Sequence, residues 1–135
     1  MQPDLAIAHN VLGYTYAQKG QYAEAIAAQN KAISLGGDRT GSLCYLGYAY
    51  AKSGKRDEAL AILGKLKTTK EHVSAAELAA LYVGLGDNEG ALALLERAYR
   101  ERDYQMQYLK VEAHYDPLRS NARFQDLVRR LGLPQ

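Results

Sequence analysis

Gly13-Tyr14-Thr15-Tyr16-Ala17-Gln18-Lys19-Gly20-Gln21-Tyr22-Ala23-Glu24-Ala25-Ile26 returns further along the chain as Leu46-Gly47-Tyr48-Ala49-Tyr50-Ala51-Lys52-Ser53-Gly54-Lys55-Arg56-Asp57-Glu58-Ala59-Leu60. Gly13, Tyr16, Gly20 and Ala25 recur as Gly47, Tyr50, Gly54 and Ala59, each 34 residues on (47−13, 50−16, 54−20, 59−25). A third copy follows at 32, with Ala79, Tyr82, Gly86 and Ala91 (79−47, 82−50, 86−54, 91−59). A period of this length marks one two-helix unit stacked on itself, an architecture used for binding surfaces far more than for catalysis.

Outward from that stretch, the first unit runs from Asp4 to Gly37. Asp4 is placed to cap a helix in which Leu5, Ala8, Leu12 and Tyr16 recur at helical spacing. Gly20 breaks it, and a second helix from Tyr22 to Leu35 ends at Gly36-Gly37, where a left-handed residue is expected. The second unit, 38–71, repeats the design, with helices from about Thr40 to Ser53 and Arg56 to Lys67, and Thr68-Thr69 in place of the glycine pair. The third unit, 72–103, pairs Val73–Leu85 with Asn88–Arg102 across Gly86-Asp87. Small residues at Gly13, Gly47, Ala25 and Ala59 let paired helices approach, while Tyr16 and Tyr50 fill the space between hairpins.

After Asp103 the period lapses. Tyr104, Tyr108, Leu109 and Val111 could line a short helix, Asp116-Pro117 predicts a turn, and Ser120 is placed to cap a last helix carrying Phe124, Leu127, Val128 and Leu131. Gly132 and Pro134 stop it. This tail, 104–135, reads as a degenerate fourth hairpin capping the stack within a single domain, 1–135.

The quoted runs resemble the tetratricopeptide repeat, and Pro3 falls where that family places the proline ending a preceding repeat. The resemblance covers about residues 4 to 103. It implies an all-α fold, a right-handed superhelical solenoid of three helix-turn-helix hairpins plus a C-terminal cap. It also implies that the first helix of each hairpin lines a concave groove. That places Asn10, Tyr14 and Gln18, then Tyr45, Tyr48 and Lys52, then Glu77 as partner-binding residues, beside Cys44, Ala76, Ala80 and Val83. Tyr14 and Tyr48, 34 apart (48−14), are expected to stack as adjacent rungs. Tyrosine joins rigid apolar area to a hydroxyl, a combination favoured in binding surfaces. The basic carboxylate clamp of some family members has no counterpart, because Tyr14, Cys44 and Ala80 occupy its rungs. The tail, from Tyr108-Leu109-Lys110-Val111 through Asp116-Pro117-Leu118-Arg119-Ser120 to Pro134, resembles the C-terminal ends of bacterial proteins. In those proteins such repeats follow a winged-helix, cyclase or kinase module, which implies a fragment of a larger signalling protein.

The rest of the sequence narrows the function by subtraction. Of 135 residues, 17 are Lys or Arg and 15 are Asp or Glu, a net charge of +2 that gives no field for nucleic acid or an anionic membrane. The arginines from Arg97 to Arg130 alternate with Glu96, Glu101, Asp103, Glu112, Asp116 and Asp126 and read as a solvated face. No run is apolar enough for a membrane span, the N-terminus lacks a secretion signal, and one cysteine, Cys44, permits no internal disulfide, so the chain reads as cytoplasmic. His9, His72 and His114 have no ligand-spaced partners, and neither a phosphate loop nor a nucleophile–base pair is marked, so no cofactor, metal or catalytic residue is expected. The expected partner is therefore a protein or peptide held in the groove. The alternative is a structural or autoinhibitory segment whose groove is filled by its own tail or by a second copy in a homodimer.

Overall fold

α1 (Pro3–Gln18) and α2 (Tyr22–Ser34) form the first hairpin in the computed structural model, which describes residues 3–132. α3 (Arg39–Lys52) with α4 (Arg56–Thr68), and α5 (Ala75–Gly84) with α6 (Asn88–Arg100), form the second and third. Among the described residues there is no strand. α1 packs against α3 and α3 against α5, so the first helices form one layer, while α2 and α4 flank α3 in the other. The helix boundaries fall within two residues of the expected ones, and the succession of helix pairs is that of a repeat solenoid. Asp4 lies inside α1 rather than capping it, and Pro134 lies outside the described residues.

The repeated residues have the packing roles their sizes suggest. A Cβ on Gly13 would come within 2.7 Å of Gln29 on α2, and one on Gly47 within 2.7 Å of Leu81 on α5. The backbones of α1 and α3 thus sit against a neighbour's side chain with no room for a methyl group. Gly20, Gly54 and Gly86 take φ values of 76°, 86° and 84°, the left-handed turn between paired helices. Gly36 does the same at 82°, whereas Gly37 faces Ala6, whose Cβ its own Cβ would meet at 2.7 Å. At the end of α6 this left-handed position is held by Arg102, at φ 57°, with no glycine to mark it. Caps come from Asp38 on Gly41, Ser74 on Glu77 and Asp87 on Gly90, each side chain accepting from a backbone N–H.

The tail departs from the expected hairpin. Two short 3₁₀ helices, Tyr104–Tyr108 and Ala113–Leu118, precede α7 (Ala122–Arg130). Pro117 lies within the second 3₁₀ helix, whose short i→i+3 bonding tolerates it, and Asn121, not Ser120, caps α7 by accepting from Arg123 N at 2.8 Å. Of the four apolar residues expected to line the first segment only Leu109 is buried; Tyr104, Tyr108 and Val111 are exposed. Met106, Leu109, Tyr115, Leu118, Phe124, Leu127 and Val128 continue the core of the third hairpin. α7 is clamped to α6 by Arg123, which bonds Glu96 at 2.6 Å and Glu89 at 2.8 Å. Arg119, Arg129 and Arg130 pair with Asp116 and Asp126, and Arg97 with Glu101.

Candidate functional site

The layer of first helices brings most of the expected residues to one face, but the tail crosses that face. Its path is fixed at Asp103, whose carboxylate accepts from Ser74 Oγ at 2.6 Å and from the N–H of Gln105 at 3.0 Å, tying the start of α5 to the start of the tail. Tyr115 then inserts, fully buried, and donates its hydroxyl to the Ala76 carbonyl at 2.8 Å. Arg119 Nη2 donates to the Glu112 carbonyl at 2.7 Å and closes the loop between them. Gln18 Oε1, at the end of α1, accepts from Ala113 N at 2.8 Å, a contact spanning 95 residues of sequence.

Between these anchors His114 is driven into the inner face and is 0% exposed. Its ring lies 5.1 Å from that of Tyr14, 5.2 Å from Tyr45 and 4.4 Å from Tyr48, centroid to centroid. Neither ring nitrogen has a hydrogen-bond partner, and Nδ1 stands 4.0 Å from Glu112 Oε2. Burial pushes the imidazole down to about 4, against a smaller opposing pull from Asp116, so the ring is neutral at physiological pH. The imidazole serves here as an aromatic wedge.

Tyr14 and Tyr48 do not stack on each other: Tyr14 meets Tyr45 edge-on at 5.4 Å, Tyr48 meets Tyr22 at 6.3 Å, and His114 lies between. Tyr48 and Tyr45 are 6% and 5% exposed, which closes them to an outside ligand at the wedge. Gln18 is spent on Ala113, and Asn10 donates Nδ2 to Ser42 Oγ at 2.7 Å across the first two hairpins. Lys52 is exposed at the far end of α3. Glu77 is 8% exposed under the tail.

What the tail leaves open is a recess of about 310 Å³ lined by Asn10, Val11, Tyr14 and Tyr45 on the helices, with Glu77, and by Gln105, Tyr108 and Glu112 on the tail. Two buried carboxyls share it. Burial raises Glu77 to about 7, reinforced by Asp38, Asp103 and Glu112 and opposed by a hydrogen bond with Tyr45. Burial likewise raises Glu112 to about 7, opposed by a hydrogen bond with Tyr14. Burial, followed by the Glu112 charge, raises the Tyr14 and Tyr45 hydroxyls well above the ordinary tyrosine range. Both therefore remain protonated hydrogen-bond donors. Among the described residues no cluster of three or more His, Cys, Asp or Glu side chains is placed to hold a metal ion. Nor is any described helix long and apolar enough to cross a membrane.

Glu112 and His114 were not among the residues singled out by sequence. The available signal was slight: a stretch rich in aromatic and charged residues, with no helical period, following a row of tyrosines that needed cover. Only the fold brings 112–115 back to α1.

Comparison with known proteins agrees with this architecture. Models of the Tetratricopeptide repeat family match residues 6–35 and 72–97. The first match spans most of α1 and α2, the second α5 and most of α6, and α3–α4 between them forms the same hairpin. The whole is consistent with a tetratricopeptide-repeat solenoid, a family whose members generally serve as protein-interaction modules and are typically non-catalytic. No curated protein and no solved structure matches the chain.

Proposed function

We propose that this chain is a non-catalytic protein-interaction module whose groove is divided between its own tail and a partner. The tail holds the part around Tyr48, Gln18 and Tyr45. A protein segment docks in the recess that remains, against Asn10, Tyr14, Val11 and Tyr108. The observation that carries this reading is the burial of His114 among Tyr14, Tyr45 and Tyr48. It favours a divided groove over an open trough along α1, α3 and α5.

Magnitude decides whether the tail is a removable plug. Seven of its apolar side chains, from Met106 to Val128, are at most 6% exposed. At about 1.5–3 kcal/mol for each such side chain, withdrawing them costs more than about 10 kcal/mol. A micromolar peptide supplies about 8 kcal/mol. The tail is thus a permanent part of the surface, and a partner meets the groove with the tail in place.

Selection from a displayed random-peptide library tests the reading, because it requires no prior partner. Binders should lose at least tenfold in affinity with Val11→Arg, a change at an exposed position that leaves the melting temperature intact. Binders indifferent to Val11→Arg and to Tyr108→Ala would sink the assignment of the recess.

A further inference from the structure

The geometry points to a primary aliphatic ammonium, the side chain of a lysine in a docked protein segment, as the group that enters the recess between Glu77 and Glu112. This rests on the recess being the docking face. Two carboxyls line it, and among the described residues neither forms an ion pair with a lysine or arginine. Glu112 is 2% exposed and its Oε2 is without a hydrogen-bond partner. A buried acceptor left unmet costs free energy that a donor from outside would recover. Tyr14 and Tyr108 add aromatic lining, whose π-systems attract a cation. The absence of a three-ligand cluster among the described residues favours a cation that brings its own three N–H donors over a metal ion. A side chain rather than a free amine fits the rim, where Val11 and Tyr108 stand 57% and 43% exposed and offer apolar area to the flanking residues of a chain.

The groups around the two carboxyls are Tyr14 on α1, Asp38, Cys44 and Tyr45 at α3, and Asp103, His114 and Tyr115 on the tail, with His72, Glu101 and Arg102 lining the adjoining recess beside Glu77. Both carboxyls lose their protons around pH 7 in the free chain. Ammonium binding therefore strengthens with rising pH, by about tenfold from pH 6 to pH 8 for each carboxylate engaged, since the ionised fraction rises from about one-tenth to about nine-tenths.

The test titrates acetyl-Leu-Lys-Leu-amide, its norleucine counterpart and n-butylammonium into the full chain, reading the Tyr14 and Tyr108 ring resonances by NMR. At pH 8 the lysine peptide should bind at least tenfold tighter than the norleucine peptide. Glu112→Gln and Glu77→Gln should each remove most of that preference, and so should lowering the pH to 6. Butylammonium should shift the same rings more weakly. Equal binding of the lysine and norleucine peptides, or a preference untouched by both substitutions, overturns the ammonium assignment. Butylammonium binding as tightly as the peptide overturns the protein source. Library-selected peptides that still depend on Val11 while the lysine peptide fails would leave the docking face standing and the ammonium site refuted.

Discussion

Replacing His114 by phenylalanine should stabilise the protein, against the usual outcome of changing a fully buried residue. The imidazole makes no hydrogen bond to lose, so the change removes two unmet polar atoms, whose burial costs about 1–3 kcal/mol apiece. The extra ring atom must be accommodated among three tyrosines, at the low end of the overpacking range, about 1 kcal/mol. The net expectation at pH 7.5 is a gain of at least about 1 kcal/mol. The gain should widen in acid. With the folded imidazole at about 4 and the unfolded one near about 6.5, the native His114 protein loses about 2.5 kcal/mol relative to the phenylalanine variant on going from pH 7.5 to pH 4.5. His114→Ala, which leaves a hole among the same rings, should instead cost about 2–4 kcal/mol at pH 7.5. Urea unfolding followed by far-ultraviolet circular dichroism at the two pH values measures all three proteins. A phenylalanine variant less stable than the parent by more than about 1 kcal/mol at pH 7.5 would refute the reasoning. So would an advantage that does not grow in acid.

Two further outcomes follow from the same site. Because folding raises Glu77 and Glu112 to about 7, their contribution to stability is fully present below the ordinary glutamate range and is lost as pH rises through 7. His114 acts oppositely, losing stability as pH falls from about 6.5 toward 4. With two groups against one, the parent should become more stable between pH 8 and pH 5. The Glu77→Gln, Glu112→Gln double variant should become less stable over that range, a reversal of slope read in urea titrations; parallel slopes would contradict the protonation scheme. Asp103→Ala strips the acceptor from Ser74 Oγ and from the N–H of Gln105 and should cost about 1–3 kcal/mol, with faster amide exchange in 104–112. Unchanged exchange there would mean the tail is positioned without it.

How far the sequence could be read depended on the range of the interactions. Helix pairs and turns were legible because Gly20, Gly54 and Gly86 act locally, through φ values any repeat of this kind must adopt. Arg102 takes the same left-handed position without glycine, and the expected α6 accordingly overruns the observed one by two residues. The inner face came from the resemblance to the tetratricopeptide repeat, whose first helices line the groove and which implied Asn10, Tyr14, Tyr45 and Glu77 on one side. Which of them stay open was not legible. That depends on 112–115 reaching α1, and the Ala113–Gln18 bond spans a distance that no local pattern encodes. Exchange of the expected Tyr14–Tyr48 pair for Tyr14–Tyr45 and Tyr22–Tyr48 has the same origin, because the His114 ring takes the space between them. Sparse capping signals misled in the tail, where Ser120 and Asn121 are equally plausible caps by composition and only the latter accepts from Arg123 N.

The occupancy of the groove by the tail is tested most directly by nuclear Overhauser contacts from the carbon-bound protons of His114 in the full chain. Centroid distances of 5.1, 5.2 and 4.4 Å require cross-peaks to the rings of Tyr14, Tyr45 and Tyr48 together. An imidazole with no contact to these rings, titrating near the ordinary histidine value, would place the tail outside the groove and contradict the account.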